Sequence, residues 1–248
     1  MSGGDVDLAA VAGLIGDRTR SRMLVALLGG REISASLLAD EAGVSPSTAS
    51  GHLAKLVDGD LVAARTSGRH RHYRLASAAV AEVVERLVEL APAEEIGSLR
   101  ASRRAAELRV ARTCYDHLAG RVGVGLMHGL LQRGHLTGGD GGYEAAAAQR
   151  DAPASPGRDL DYRLTPGGQE FLDHLGVDLP QGRRALVRYC VDWTETRHHL
   201  GGRLGRGLRD RFLEAGWLEP RTTNRALRVT AEGRAVLAEE FGLDLSPS

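Results

Sequence analysis

Cysteine is scarce in this chain. Cys114 and Cys190 are the only two in 248 residues, too few for a disulfide-stapled scaffold, and a reducing cytosol would keep both as thiols. No apolar run approaches the roughly 18 residues needed to span a bilayer. The opening residues, with Asp5 and Asp7, lack the basic and apolar stretches of a secretory signal. The expected setting is the cytoplasm, with no membrane partner. Net charge is missing too: 32 Lys+Arg balance 32 Asp+Glu, so a surface for nucleic acid must be a local patch. Lys55 is the only lysine, and arginine carries the remaining positive charge. Apolar residues, at 42%, suffice for the core of one large domain or two ordinary ones.

The first ninety residues read as helices followed by a hairpin. Leu8, Val11, Leu14 and Ile15 recur at helical spacing, and so do Met23, Leu24, Leu27 and Leu28. Asp17 stands as the N-cap of the second helix, which Gly29-Gly30 stops. A third helix covers about Ala35–Ala42 and ends at Gly43. A fourth begins at Ser45-Pro46, a capping residue followed by proline at the first helical position, with Ala49, Leu53 and Leu56 on one face. The period then becomes strand-like: Leu61–Thr66 and Arg69–Leu75 flank Ser67-Gly68, a hairpin pattern. Ala78–Leu90 returns to helix, with Val80, Val83, Val84, Leu87 and Leu90 as its apolar stripe. Residues 91–98, around Pro92, read as a linker.

The second half contains an internal repeat. His117-Leu-Ala-Gly-Arg-Val-Gly-Val-Gly-Leu126 matches His199-Leu-Gly-Gly-Arg-Leu-Gly-Arg-Gly-Leu208, and Leu131, Gly134 and Leu136 answer Leu213, Gly216 and Leu218. Arg163-Leu-Thr-Pro-Gly-Gly168 answers Arg228-Val-Thr-Ala-Glu-Gly233, and the ends Gly176–Leu179 and Gly242–Leu245 are alike. The expected fold is mainly α with small β-hairpins (α+β): a winged helix–turn–helix over 1–98, then helix–hairpin–helix, winged-helix-like copies over 99–180 and 181–248. Within the first copy, the Gly- and Ala-rich stretch Gly138–Asp159, with Pro153 and Pro156, reads as a mobile loop.

A helix–turn–helix reads bases with the N-terminal part of its second helix. At 100° per residue, Ser47, Gly51 and Lys55 share the face opposite Ala49, Leu53 and Leu56, and Thr48 and Ser50 flank it. Hydroxyls donate or accept at base edges, the Thr48 methyl suits thymine, and Lys55 suits a phosphate. The hairpin adds Arg65, Arg69, His70, Arg71, His72 and Arg74, a wing fit for phosphates or a minor groove. The DNA-binding candidates are thus Ser45, Ser47, Thr48, Ser50, Gly51, His52, Lys55, Arg65, Arg69 and Arg71, with double-stranded operator DNA as partner.

At these residues the first domain resembles the ArsR/SmtB family of winged-helix repressors. The resemblance rests on Ile15-Gly-Asp-Arg-Thr-Arg20, Ser45-Pro-Ser-Thr-Ala-Ser-Gly-His-Leu53, Gly59-Asp-Leu-Val62 and Gly68-Arg-His-Arg-His-Tyr-Arg-Leu75, about a third of the chain. It implies a homodimer built through the first helix and the helix at 78–90, on a palindromic operator. Gly51 departs from the pattern, standing where such proteins usually carry a longer polar side chain. Family members known for sensing metals place thiols two apart on the third helix. Ser34 and Ser36 occupy those places here, and hydroxyls are poor ligands for soft metals. The helix at 78–90 holds no histidine, so no metal is expected at either family position, and no cofactor is called for.

That leaves the repeated half as the effector or structural module. If one helix ran on from near Ala105, Cys114, His117, Arg121 and His128 would share a face. Cys190 and His199 belong to the second copy. Cysteine and histidine three apart can ligate a metal, Arg121 or a protonated His117 can activate Cys114 as a redox sensor, and buried thiols often do no more than pack. A small-molecule effector between the copies, lined by Tyr189, Trp193 and Trp217, is a further reading. The alternative class is a cysteine-dependent enzyme or metal-binding protein using Cys114 and His117. An enzyme is not expected, because Asp116 on such a helix points away from that face and no HExxH, GxSxG or phosphate-loop motif is present.

Overall fold

The computed structural model describes residues 6–28, 32–67, 70–91, 99–151, 156–221 and 225–245. The glycines at 29 and 30, Gly68, Arg69 and nearly all of the linker at 91–98 lie outside them. The chain divides into two compact units, one over residues 1–85 and the other over 86–221 with 225–248.

In the first unit, capping side chains set the helix starts. Asp7 accepts from the Ala10 N–H to open α1 (Leu8–Ile15), and Asp17 from the Arg20 N–H to open α2 (Arg18–Leu27). Arg20 closes the preceding helix: its guanidinium donates to the carbonyls of Leu14 at 2.5 Å and Gly13 at 2.7 Å, the orphan acceptors at the end of α1. β1 (Ile33–Ser34) leads into α3 (Ala35–Ala42), which ends at the left-handed Gly43. Ser45 caps α4 (Pro46–Asp58), followed by β2 (Val62–Ser67), β3 (His70–Leu75) and α5 (Ala78–Leu90). The strands form an antiparallel sheet in the order β1-β3-β2, with Ile33 and Ala64 both opposite Tyr73. Met23, Leu24, Leu27, Leu38, Leu53 and Leu56 fill the core beneath it. This is a winged helix–turn–helix. The short β1 is an addition to the sequence reading.

The second unit takes in the end of α5 from residue 86 and continues with α6 (Leu99–Val110). Then come β4 (Arg112–Cys114), β5 (His117–Ala119), α7 (Gly120–Gln132), β6 (Leu136–Thr137), β7 (Arg163–Leu164) and α8 (Pro166–Leu175). The same order of hairpin, helix, hairpin, helix follows in β8 (Arg188–Val191), β9 (His198–Gly201), α9 (Gly202–Glu214), β10 (Leu218–Pro220), β11 (Leu227–Val229) and α10 (Ala231–Phe241). Thr165 and Thr230 cap α8 and α10 by accepting from the N–H groups of Gly168 and Gly233. The segments interlock through the backbone: Leu227 N–H donates to Ala111 at 2.9 Å, Thr113 N–H to Arg225 at 3.0 Å, and Gly157 N–H to Tyr189 at 2.7 Å. α7 packs on β9 and α9 on β5. Glycines keep these contacts close: a Cβ on Gly123 would lie 3.5 Å from His199 Cβ and one on Gly205 3.1 Å from His117 Cβ, while pressing on the carbonyls of Leu118 and Leu200 in their own preceding strands at 2.3 and 2.5 Å. One hydrophobic core runs through both segments, with Leu126, Leu130, Leu204 and Phe212 among its members.

Two sequence expectations change here. The helix expected to run on from Ala105 is broken: α6 ends at Val110, the β4–β5 hairpin intervenes, and α7 starts at Gly120 with φ 75°. The stretch Gly138–Asp159, expected to be a mobile loop, is tied down on either side of residues 152–155, which lie outside the description. The Asp159 carboxylate accepts from the N–H groups of Gln149, Arg150 and Asp151 at 2.9–3.2 Å. The Tyr189 hydroxyl accepts from those of Asp159 and Leu160 at 2.9 Å. Composition argues for mobility only when backbone groups lack such partners.

Candidate functional site

The first candidate surface is the N-terminal half of α4 with the wing. Ala49, Leu53 and Leu56 are fully buried, which turns the opposite face outward. Ser45, Ser47, Thr48, Ser50, Gly51 and Lys55 are all exposed. The hydroxyls form a local network, Ser45 Oγ lying 2.9 Å from both Ser47 Oγ and Thr48 Oγ1. No Cβ placed on Gly51 would meet anything within 4 Å, so the residue opens the helix surface without relieving a clash. His52 stands apart from the exposed row: it is half-buried, its Nδ1 3.3 Å from the Asp17 carboxylate, so it braces α4 on the start of α2.

On the wing, Arg71 and Arg74 are exposed, and the Arg71 guanidinium stacks 5.6 Å above the Tyr73 ring. Arg65 is exposed too, but it pairs with Glu32 at 2.6 Å. That pair lowers the Glu32 pKa through the Arg65 hydrogen bond and raises that of Arg65 in return. Being solvent-exposed, it is worth little, and a phosphate can replace Glu32. At the family thiol positions, Ser34 caps α3 and its Oγ lies 3.1 Å from Ser36 Oγ.

The second candidate lies in the other unit. Cys114 faces His117 across the β4–β5 hairpin, and Cys190 faces His199 across β8–β9. The two hairpins bring one sulfur or ring nitrogen from each of the four residues within 4.8 Å of one another. His117 Nε2 lies 3.5 Å from Cys190 Sγ, and the imidazole centroids are 5.2 Å apart. His117, Cys190 and His199 are buried and Cys114 half-buried. A carboxylate backs each ring: Asp116 Oδ1 is 3.3 Å from His117 Nδ1, and Asp192 Oδ2 is 3.3 Å from His199 Nδ1. Arg184 pairs with Asp116. Arg112, absent from the sequence candidates, donates from its single Nη2 to both Asp192 oxygens, Oδ1 at 2.9 Å and Oδ2 at 2.8 Å, with both side chains shielded from water.

These contacts set the charges. Burial disfavours protonated His117, but the Cys114 sulfur and the Asp116 carboxylate outweigh it and lift its pKa to about 9. Burial also works against ionised Asp192, yet the neighbouring His199 imidazole and the Arg112 charge hold its carboxyl far below the usual range. Asp116 is lowered similarly, against burial, by His117 and Arg184.

Arg121 and His128, expected beside Cys114 and His117, do not join the cluster: both belong to α7, and His128 is exposed. Asp116 does not point away from His117, since both sit at a hairpin turn where Tyr115 takes φ 52°. The three aromatics suggested as a ligand lining take separate partners. Tyr189 packs with Tyr162 and His198, Trp217 with Phe212 and Arg211, and half-exposed Trp193 with Arg112.

Residues 15–65 match the family described as Helix-turn-helix domain. Over 242 residues, 96% of this chain and 99% of the relative, the sequence is 36% identical to a Bacillus subtilis (strain 168) protein described as the uncharacterized HTH-type transcriptional regulator YdfF. Among solved structures, the cadmium metal-sensor CMTR of Mycobacterium tuberculosis is 34% identical, over 37% of this chain and 94% of that one, with a TM-score of 0.31. The homodimeric winged helix-turn-helix DNA-binding domain Mb0332 of Mycobacterium bovis is 30% identical, over 36% and 88%, with a TM-score of 0.31. Among the described residues, no helix is long and apolar enough to cross a membrane.

Proposed function

This chain belongs to the HTH-type transcriptional regulators, and from that premise we propose that it binds double-stranded operator DNA sequence-specifically as a homodimer, with α4 in the major groove of each half-site. The observation that carries the reading is the exposed row Ser47, Thr48, Ser50, Gly51 and Lys55, set over the buried Ala49, Leu53 and Leu56 on a helix capped by Ser45. A row of short polar groups lets the helix backbone come close to base edges, and the lysine one turn beyond Gly51 reaches a phosphate. Arg71, Arg74 and Arg65 extend along the flanking backbone from the wing.

Dimerisation is supported by apolar side chains left in water. α1 exposes Leu8 and Val11, and α5 exposes Val83, Leu87 and Leu90. A second copy covering them removes apolar area that a monomer leaves wet. Two copies related by a twofold axis match a palindromic operator. Seated there in the cytoplasm, the dimer blocks transcription, as the ArsR/SmtB resemblance implies. The second unit serves as the effector-responsive or supporting module, and no catalytic step is assigned to the chain.

The test is a gel shift with the DNA upstream of the protein's own gene and neighbouring promoters. Retention that survives excess unrelated duplex supports the proposal. No shift on any of them at low salt overturns it.

A further inference from the structure

We propose that Cys114, His117, Cys190 and His199 form a closed tetrahedral site for one thiophilic divalent cation of the Zn²⁺ class, a role independent of how α4 reads DNA. The donor set is two sulfurs and two imidazole nitrogens, the set that tetrahedral Zn²⁺ takes up in structural sites. Metal–ligand bonds of about 2.0–2.3 Å place tetrahedral donors about 3.3–3.8 Å apart. The 3.5 Å between His117 Nε2 and Cys190 Sγ already has that length, and all four donor atoms lie within 4.8 Å of one another. Small side-chain shifts complete the tetrahedron.

Three further observations point to a cation rather than to packing. His199 is 1% exposed, and neither of its ring nitrogens has a hydrogen-bond partner: Nδ1 has only the ion-pair contact with Asp192, and Nε2 has nothing. A buried nitrogen left in that state is costly unless something binds it. Asp116 and Asp192 stand behind the Nδ1 atoms of the two rings, the arrangement that directs Nε2 of a metal-bound histidine at its ion. Asp192 is in turn held by Arg112 and by the N–H groups of Gly120 and Thr194, so this support is rigid. Finally, two thiolates balance the double charge, which makes burial of the ion affordable. Each thiol releases its proton to water as the ion binds.

The register of the hairpins explains how the site arises. Each contributes one cysteine and one histidine from directly opposed strand positions, and neither hairpin has enough donors alone. An ion therefore clasps the two segments of the unit together. With four protein donors no coordination position is left for substrate, so the site holds the fold or reports on the metal supply and performs no metal-centred reaction.

The full chain, stripped with a chelator under reducing conditions, is titrated with Co²⁺ and then Zn²⁺. The proposal expects one Co²⁺ per chain, with the strong visible absorption of tetrahedral cobalt and a thiolate charge-transfer band, both erased by one equivalent of Zn²⁺. Cys114→Ser, chosen because Cys114 is half-exposed, is expected to keep its circular dichroism and weaken binding at least 100-fold. Asp116→Asn, which leaves all four ligands in place, is expected to weaken it about 10–100-fold. A pale octahedral spectrum, the absence of stoichiometric binding by the reduced wild type, or unchanged affinity in folded Cys114→Ser would overturn the proposal. So would a Cys114–Cys190 disulfide that persists after reductant and chelator treatment of protein purified from the cell.

Discussion

Arg112 and Asp192 lie 80 residues apart and form an ion pair sealed from solvent, the arginine Nη2 lying 2.8 Å from Oδ2 and 2.9 Å from Oδ1 of the carboxylate. The arginine comes from the β4–β5 hairpin and the aspartate from the turn of the β8–β9 hairpin, so the pair ties these two hairpins together. Arg112 also donates to the Leu108 carbonyl and to Thr194 Oγ1, leaving little of its guanidinium unsatisfied. Removing one partner of a buried pair strands the other charge in a poorly solvating interior, at a cost of roughly 3–5 kcal/mol. Arg112→Ala is therefore expected to lower the unfolding free energy by about that amount in urea denaturation. A loss below about 1 kcal/mol, the size typical of surface pairs, would mean that water reaches the pair.

Two helical glycines are expected to respond oppositely to the same substitution. Gly51 faces open space on α4, so Gly51→Ala removes backbone freedom from the unfolded chain and stabilises by about 0.8–1 kcal/mol. Gly123→Ala forces its methyl to within 2.3 Å of the Leu118 carbonyl and is expected to cost about 1–3 kcal/mol through overpacking. Thermal melts of the two variants distinguish them by sign. A stable Gly123→Ala would contradict the close approach of α7 to the β5 backbone that leads into it.

The exposed apolar stripes set the oligomeric state. Leu8→Arg with Val11→Arg is expected to shift the protein toward monomer in sedimentation, and with it to weaken operator binding, because the second half-site no longer contributes. A dimer of unchanged strength would place the interface elsewhere.

Asp159 makes the loop around it sensitive to acid. The Arg150, Gln149 and Asp151 N–H groups and the Arg150 side chain hold its pKa at about 2 against the opposing effect of desolvation, below the unfolded value of about 3.9. A lowered folded pKa stabilises above the unfolded value, and that contribution is lost as the pH falls through about 2. The Asp159 carboxyl carbon is expected to titrate near 2 by NMR, and Asp159→Asn is expected to expose residues 149–160 to protease at neutral pH. Ordinary titration near 4 would contradict the hydrogen bonding.

The first unit was the more legible half. Its helices announce themselves through cap residues such as Asp17 and Ser45-Pro46, and its wing through alternation on both sides of Ser67-Gly68, all local signals. β1 was missed because two residues are too few to display an alternation. The second unit concealed its chemistry in a hairpin with no turn-forming glycine, asparagine or proline: Tyr115 itself adopts the left-handed conformation that side chains of its size avoid. The apolar spacing of α6 and α7 therefore reads as one helix straight through Cys114 and His117. What brings Cys190 and His199 beside them is packing across more than seventy positions, which no local pattern encodes. The repeat at His117 and His199 was the available clue: it put Cys114, His117, Cys190 and His199 among the candidates, but it could not show that these four converge while Arg121 and His128 do not.

The central claim, that α4 reads base edges, is tested most directly by selecting binding sites from a random duplex pool with the wild type and with Ser47→Ala/Thr48→Ala. The wild type is expected to enrich an inverted repeat, and the variant, still folded, to lose discrimination at the positions its hydroxyls read, roughly 1–3 kcal/mol for each base pair. Enrichment of the same repeat with the same stringency by both proteins, or of no sequence by the wild type, would contradict it.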